Sequence, residues 1–153
     1  MTYENNKGGE YGKNYVQELQ EPPGLIGPEF REVYDKFAKR IIWMDGNVCP
    51  GAIQMNTAWY FAVPERDPIF PEHEHAQAEL IGFYSSDSNN PYDLGATIEF
   101  AIGGENHRLT KSSLLYIPAG VKHGPMRILE VKRPVFHFSV VVNAEYDAEA
   151  IYK

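Results

Sequence analysis

The chain has 153 residues, the size of one domain, and its 43% hydrophobic and 23% charged residues are ordinary for a globular protein. Its net charge of −7 repels phosphate backbones, so we expect no nucleic-acid partner. Ten tyrosines and eight phenylalanines favour strands and aromatic-lined pockets over helical bundles.

The sequence shows no targeting feature. Its first residues lack an apolar signal segment, and no window approaches the ~18 apolar residues that span a membrane. The single cysteine, Cys49, precedes Pro50 and Gly51 and is interpreted as a structural or free thiol at a turn. Because no intrachain disulfide is possible, we expect a cytoplasmic protein without a membrane partner.

Residues 1–27 are polar and rich in Gly and Asn, and they are predicted to form an extended arm ahead of one domain, residues 28–153. Tyr3, Tyr11 and Tyr15 are unusual in a free tail. We expect these tyrosines to pack on the domain or on a partner subunit.

A helix is predicted over residues 28–40. Pro28 suits the first turn of a helix, and Glu29 suits its positively polarised end. The apolar residues that recur at helical spacing form one stripe, expected to lie on the rest of the domain: Phe30, Val33, Tyr34 and Phe37.

Beyond the helix the pattern is that of strands and turns. Alternating or β-rich runs predict strands over residues 52–63, 80–84, 96–102, 113–117 and 135–142, with a loop over 85–95 and a hairpin turn at Gly103-Gly104. With the His73-x-His75 segment and a return strand that starts at His107, the count reaches seven or more short strands with regular turns, which predict an all-β sandwich or barrel.

One segment carries a pattern typical of a metal site. His73 and His75 lie two residues apart, so in an extended strand both imidazoles point to the same face. Glu79 follows four residues later and offers a carboxylate oxygen. A fourth ligand is expected from His123, which follows a turn built on Pro118 and Gly120.

The two segments together, His73-x-His75-(x)3-Glu79 and Pro118-x-Gly120-(x)2-His123, resemble the paired motifs of the cupin superfamily. The resemblance spans roughly residues 52–142. It implies a single jelly-roll β-barrel, here with an N-terminal arm and one short helix. It also implies a divalent metal held in the barrel mouth by His73, His75, Glu79 and His123.

The turns around these motifs depart from the cupin pattern. Glycines are usual at the positions of Asp67, Ser86 and Ser112, and an asparagine is usual at the position of Arg127. The ligands are retained while the rim of the pocket differs. The rim, which would choose a substrate, is therefore where this chain leaves the pattern.

Three imidazoles and one carboxylate form a mixed nitrogen and oxygen ligand set. Such a set suits Fe, Mn, Ni, Co, Cu or Zn, whereas Ca and Mg prefer oxygen ligands alone. Four protein ligands leave positions open on an octahedral metal for water or a chelating substrate. A closed, four-coordinate zinc would instead be structural.

The remaining histidines have different expected roles. His107 follows the Gly103-Gly104 turn and is interpreted as a solvated hairpin residue. His137 lies on the face opposite Phe136 and Phe138. If that face is the lumen, His137 is a pocket residue and a possible general base; otherwise it is structural. Candidates for the pocket wall are Gln77, Tyr60, Phe83, Tyr116 and Met126.

Two functions fit these residues. The first is a metal-dependent enzyme acting on a small polar or carbonyl-bearing metabolite, as an isomerase, lyase, decarboxylase or dioxygenase. The second is a non-enzymatic barrel that binds or senses a small ligand or sugar, with a structural metal or none. In either case the aromatic arm could cross to a second copy, so we expect a homodimer.

Overall fold

The computed structural model describes residues 9–142. This part of the chain forms one α-helix and eight strands, all paired antiparallel. The elements are α1 (Pro28–Phe37), β1 (Ala38–Met44), β2 (Gln54–Tyr60), β3 (Glu79–Ser85), β4 (Asp93–Ile102), β5 (Glu105–Lys111), β6 (Ser113–Ile117), β7 (His123–Val131) and β8 (Val135–Val141).

The strands form two sheets that enclose the core. The larger sheet has the order β1-β2-β8-β3-β6 and the smaller one the order β5-β4-β7. The predicted all-β fold with an arm and one short helix is confirmed, and it is that of a jelly roll. The barrel consists of two separate sheets, since neither sheet closes on itself among the described residues.

Strand alternation decides which side chains face the space between the sheets. On β2, Ala58 and Tyr60 are buried while Trp59 is only half-buried on the opposite face. On β8, His137 and Ser139 are buried, and Phe138 lies on the outer face. These inward residues of neighbouring strands lie side by side, so they line one shared lumen.

The helix ends earlier than the sequence predicts. It stops at Phe37, and Ala38 begins β1, a strand that was not predicted. The β-forming residues Ile42 and Trp43 pair with β2, and this pairing overrides the helical pattern of residues 38–40. The predicted strand over 52–63 is likewise shorter, since β2 covers Gln54–Tyr60.

Part of the arm packs on its own domain. Leu25 is buried in the core, and Glu21 forms ion pairs with Arg31 and with the buried Arg40, the latter at 3.1 Å. Tyr11 and Tyr15 are 64% and 57% exposed, so they do not pack on this domain. Tyr3 and residues 143–153 lie outside the described residues. Among residues 9–142, no helix is long and apolar enough to cross a membrane.

Candidate metal centre

The two predicted motifs meet through a backbone bridge. His73 and His123 exchange N–H···O hydrogen bonds of 2.9 Å. The regular strand predicted for His73 and His75 is not formed. Gly120 N–H donates to the carbonyl of His75 at 3.0 Å, which holds the second turn against the first motif. Segments 45 residues or more apart in sequence thereby present their imidazoles to one point.

A close approach at Gly124 allows this bridge to form. Gly124 has φ of +85°, and a Cβ placed there would lie 2.7 Å from the carbonyl oxygen of Pro71. Only glycine tolerates both this backbone conformation and this contact. The residue after His123 therefore sets the distance between the two motifs.

The four predicted ligands come together in the structure. One ligand-type atom from each of His73, His75, Glu79 and His123 lies within 4.8 Å of the others, so the group could hold a metal ion. Glu79 and His123 are buried, while His73 and His75 are half-buried toward the surface. The group therefore lies at the mouth of the lumen.

Main-chain carbonyls orient all three imidazoles. Nδ1 of His73 donates to Pro71 O at 2.9 Å, Nδ1 of His75 to Gln77 O at 2.8 Å, and Nδ1 of His123 to Val121 O at 2.9 Å. A carbonyl oxygen can only accept, so the proton resides on Nδ1. The other nitrogen, Nε2, then carries the lone pair that could bind a metal, the arrangement that metal-binding histidines commonly use.

The contacts with Glu79 are of a kind that a bound cation would stabilise. Its Oε2 lies 2.8 Å from Nε2 of His75 and 3.2 Å from Nε2 of His123. A neutral imidazole with its proton on Nδ1 presents a lone pair at Nε2, which a carboxylate repels. The arrangement is favourable when a metal ion or an added proton lies between these atoms, and the ligand set fits a divalent transition metal.

The acid–base state of the group suits metal binding. Burial raises the pKa of Glu79, but its interactions with the adjacent rings of His123 and His75 outweigh burial and lower the pKa to about 2, so this group stays a carboxylate. Burial lowers the pKa of His73, which favours its neutral form. Deprotonated carboxylate and neutral imidazole are the forms that bind a metal.

A narrow cavity leads inward from the candidate ligands His73 and Glu79. The centres of water molecules can occupy about 50 Å³ of this cavity, which leaves room for roughly three to five water molecules. The residues that line it come from both sheets, from α1 and from the segment between β2 and β3: Tyr34, Asn56, Tyr60, Phe70, His73, Glu79, Ile81, Phe100, Met126, His137 and Ser139. None of these lining residues is a lysine or an arginine.

His137 lies on the lumen face and lines the cavity. Its Nδ1 donates to Gly82 O at 3.1 Å, and its ring stacks against Tyr60 and Phe83 with centroids 4.8 and 5.1 Å away. Burial lowers the pKa of His137 to about 4. The ring is therefore neutral near pH 7 and turns Nε2, an acceptor, away from the sheet.

The predicted wall residues have mixed outcomes. Tyr60 and Met126 line the cavity, and Phe83 is buried behind His137. Tyr116 is 63% exposed on the outer face, and Gln77 contributes its carbonyl to His75 rather than its side chain to the wall. The sequence showed which residues share a strand face, but not which face was the lumen, so Asn56 and Ser139 were missed. His107 is exposed on β5, as predicted.

Three of the four unusual turn positions have partners. Arg127 Nε lies 3.2 Å from Asp67 Oδ1 in an ion pair between exposed side chains. Ser112 Oγ donates to Pro91 O at 2.6 Å and accepts from Ser85 N at 2.9 Å, which ties down the 85–95 loop. Side-chain contacts thus hold turns where cupins usually have glycine or asparagine.

Solved structures with the same fold are cupins. An oxalate oxidase in complex with the substrate analogue glycolate matches with a TM-score of 0.50 and 14% identity over 87% of this chain. This chain spans 61% of that protein's length. At this identity the match shows the fold alone, and the fold of this chain is therefore that of a cupin.

Two further cupin structures match less well. A sugar phosphate isomerase of the cupin superfamily from Silicibacter pomeroyi has a TM-score of 0.48 and 11% identity, over 83% of this chain and 69% of its own. An RmlC-like cupin from Shewanella frigidimarina has a TM-score of 0.40 and 13% identity, over 61% of this chain and 68% of its own. No family model matches the sequence, and no curated protein matches it significantly.

Replacement of Gly124 by alanine tests whether the bridge positions the ligands. We expect a loss of about 2–4 kcal/mol in the free energy of unfolding, from backbone strain together with the contact to Pro71. Metal affinity should fall at least about tenfold because the two motifs are pushed apart. Chemical denaturation and metal titration measure the two effects.

Gly104→Ala is the matched control, since Gly104 has φ of +80° and nothing lies within 4 Å of a Cβ placed there. This substitution should lower the free energy of unfolding by only about 1–2 kcal/mol and leave metal affinity unchanged. Equal effects of the two substitutions on metal affinity would contradict a positioning role for Gly124.

Metal retention should persist to unusually low pH. Protons and the metal compete for the same imidazole nitrogen, and a lowered pKa of His73 moves this competition to more acidic pH. The carboxylate of Glu79, with its pKa of about 2, remains a ligand throughout this range. Metal content after equilibrium dialysis between pH 8 and pH 4 should stay full at pH 6.5 and fall below it. Half-release above pH 6.5 would contradict the prediction.

Proposed function

We propose that the chain is a metal-dependent enzyme that acts on a small polar or carbonyl-bearing metabolite. The observation that carries the proposal is the group of His73, His75, Glu79 and His123, in which two imidazole Nε2 atoms face a carboxylate at the mouth of a cavity. The reaction would be that of an isomerase, lyase, decarboxylase or dioxygenase.

The protein supplies binding, orientation and exclusion of water. His73, His75, Glu79 and His123 would hold a divalent metal such as Fe, Mn, Ni, Co, Cu or Zn, which supplies a Lewis acid for a ligand oxygen. The apolar walls from Phe70, Phe100 and Met126 keep the cavity narrow. A bound metabolite is thereby stripped of most of its water and held in one orientation, which lowers the barrier to reaction.

The alternative is a non-enzymatic barrel that binds or senses a small ligand or sugar. It is favoured by the low pKa of His137, about 4, because general bases work best with a pKa near the working pH. The predicted role of His137 as a general base stays a prediction. Turnover measurements decide between the two functions.

The double substitution His73→Ala and His75→Ala tests the metal site. Bound transition metal should fall at least about tenfold while the protein still unfolds cooperatively, because both side chains are half-buried at the rim. Metal content by elemental analysis and unfolding by circular dichroism measure this, with no chelator used in purification. His107→Ala, an exposed histidine on β5, should change neither.

The wild-type protein loaded with Mn, Fe or Ni is then assayed with a panel of hydroxy acids, keto acids and sugars. Turnover that the double substitution abolishes supports the enzyme. A loaded protein that turns over no member of the panel but binds one supports the binding barrel. A protein that carries no transition metal and cannot be loaded overturns the proposed metal centre.

We further infer that the chain works as a cytoplasmic homodimer. Support comes from the outer face of the five-stranded sheet, where Leu114 and Tyr116 are 55% and 63% exposed and Leu80 is 39% exposed beside them. Trp59, Phe136, Phe138 and Tyr84 continue this apolar face through ring contacts of 5.4 to 6.2 Å between centroids. So large an apolar surface fits the same face of a second copy. The free thiol of Cys49 fits a reducing compartment.

Leu114→Glu tests this interface, because a charge within it opposes burial of the apolar face. The wild-type protein should have about twice the chain mass of 17.4 kDa by light scattering, and the variant about one chain mass. Tyr92→Glu, at a residue 77% exposed in the 85–95 loop, should remain dimeric. A monomeric wild type, or a dimeric Leu114→Glu variant, would contradict the inference.

A further inference from the structure

Three polar side chains lie in the lumen beyond the metal ligands. Asn56 on β2 and Ser139 on β8 are direct cross-strand neighbours. His137 lies two residues before Ser139 on β8 and points to the same face. All three line the cavity, and they are only 3%, 8% and 6% exposed. Buried polar groups in a cavity are costly unless something satisfies their hydrogen bonds.

The hydrogen-bonding capacity of this trio is not used up by the protein. Oδ1 of Asn56 is buried and has no hydrogen-bond partner among the described residues. The Nδ1–H of His137 is committed to Gly82 O, so its Nε2 remains as an acceptor. The hydroxyl of Ser139 can both donate and accept. The trio therefore offers two acceptors, an amide donor and an adaptable hydroxyl to whatever enters the cavity.

The sheet register gives the position of the trio relative to the metal ligands. Glu79 pairs with Val141 of β8, and Ile81, two residues farther along β3, pairs with Ser139. Asn56 and Ser139 thus lie one row of side chains inward from Glu79, about 7 Å along the strands. A molecule of a few atoms with one end at the ligands reaches them with its other end.

The lack of positively charged residues in the cavity lining restricts the chemistry of the ligand's inner end. No lysine or arginine is among the residues that line it, and the nearest buried cation, Arg40, is paired with Glu21. A second anionic group on the ligand would therefore be desolvated without a counter-charge. A hydroxyl group, which donates to Nε2 of His137 or Oδ1 of Asn56 and accepts from Ser139, matches the trio.

We propose that Asn56, His137 and Ser139 form a hydroxyl-binding subsite, which selects small carboxylate or carbonyl compounds whose far end is uncharged and carries hydroxyl groups. This deepens the proposed function and rests on it for the position of the ligand's other end. The flanking rings of Tyr60 and Phe83 fix the imidazole of His137, so the subsite is rigid before the ligand arrives.

Three probes of graded chemistry test the subsite on the manganese-loaded protein: 2,3-dihydroxypropanoate, propanoate and butanedioate. Calorimetric titration of the wild type should give about tenfold tighter binding of the dihydroxy acid than of propanoate, from two added hydrogen bonds. Butanedioate, with a second carboxylate, should bind more weakly than the dihydroxy acid. Equal affinity for the dihydroxy acid and propanoate would overturn the proposal.

Substitutions locate the effect in the trio. Ser139→Ala and Asn56→Leu should each weaken binding of the dihydroxy acid about five- to tenfold and leave propanoate within about twofold. Ser139→Thr, which keeps the hydroxyl, should restore most of the affinity. Ser88→Ala, an exposed serine of the 85–95 loop, is the control and should change nothing. Equal weakening of both probes in folded, metal-loaded variants would overturn the proposal.

A readout that does not depend on the metal separates this inference from the proposed function. The ring ¹⁵N resonances of His137 should shift when glycerol, an uncharged triol, is added to the metal-free protein, and should not shift in the Ser139→Ala and Asn56→Leu double variant. A protein that loads no metal overturns the metal centre alone if this shift is seen. A metal-loaded protein without the shift or the hydroxyl preference overturns the subsite alone.

Discussion

The carboxylate of Glu79 lies against the Nε2 atoms of His75 and His123, and much of the structure depends on keeping it there. Each imidazole has its Nδ1–H bonded to a main-chain carbonyl two residues away, so each turns a lone pair toward the same buried oxygen. Without a cation this arrangement costs free energy, and with one it is a ready-made site. The fold supplies the stability that holds these groups in place before any ligand binds.

Two features of the backbone maintain this arrangement. The bridge between His73 and His123 joins the two motifs directly, and Gly124 allows the chain to pass within contact distance of Pro71. Glu79 itself begins β3, a central strand of the larger sheet, so its position is as rigid as the core. Ligands from a loop and ligands from strands therefore meet with little freedom left to lose on binding.

The lumen combines a charged end with an uncharged end. At the mouth, Glu79 and His73 line the cavity, with His75 and His123 beside them, while farther in the polar side chains are the neutral Asn56, His137 and Ser139 between aromatic and aliphatic walls. Burial keeps the pKa of His137 near 4, so even this titratable group is neutral. A ligand would therefore bind in one direction, with its chelating group at the mouth and its hydroxyl groups farther in.

The sequence by itself predicted the strand-rich fold and the four candidate metal ligands, because strand alternation is a local property and His73, His75, Glu79 and His123 fall in the order of the motifs that the chain resembles. It also placed His137 and Phe138 on opposite faces. Only the tertiary structure decided which face is the lumen, that β1 replaces the end of the predicted helix, and that Asn56 lies beside Ser139. Those facts depend on strand pairing, between residues 11 to 22 positions apart for β1 and β2 and 83 positions apart for Asn56 and Ser139, and no local pattern in the sequence records such partners.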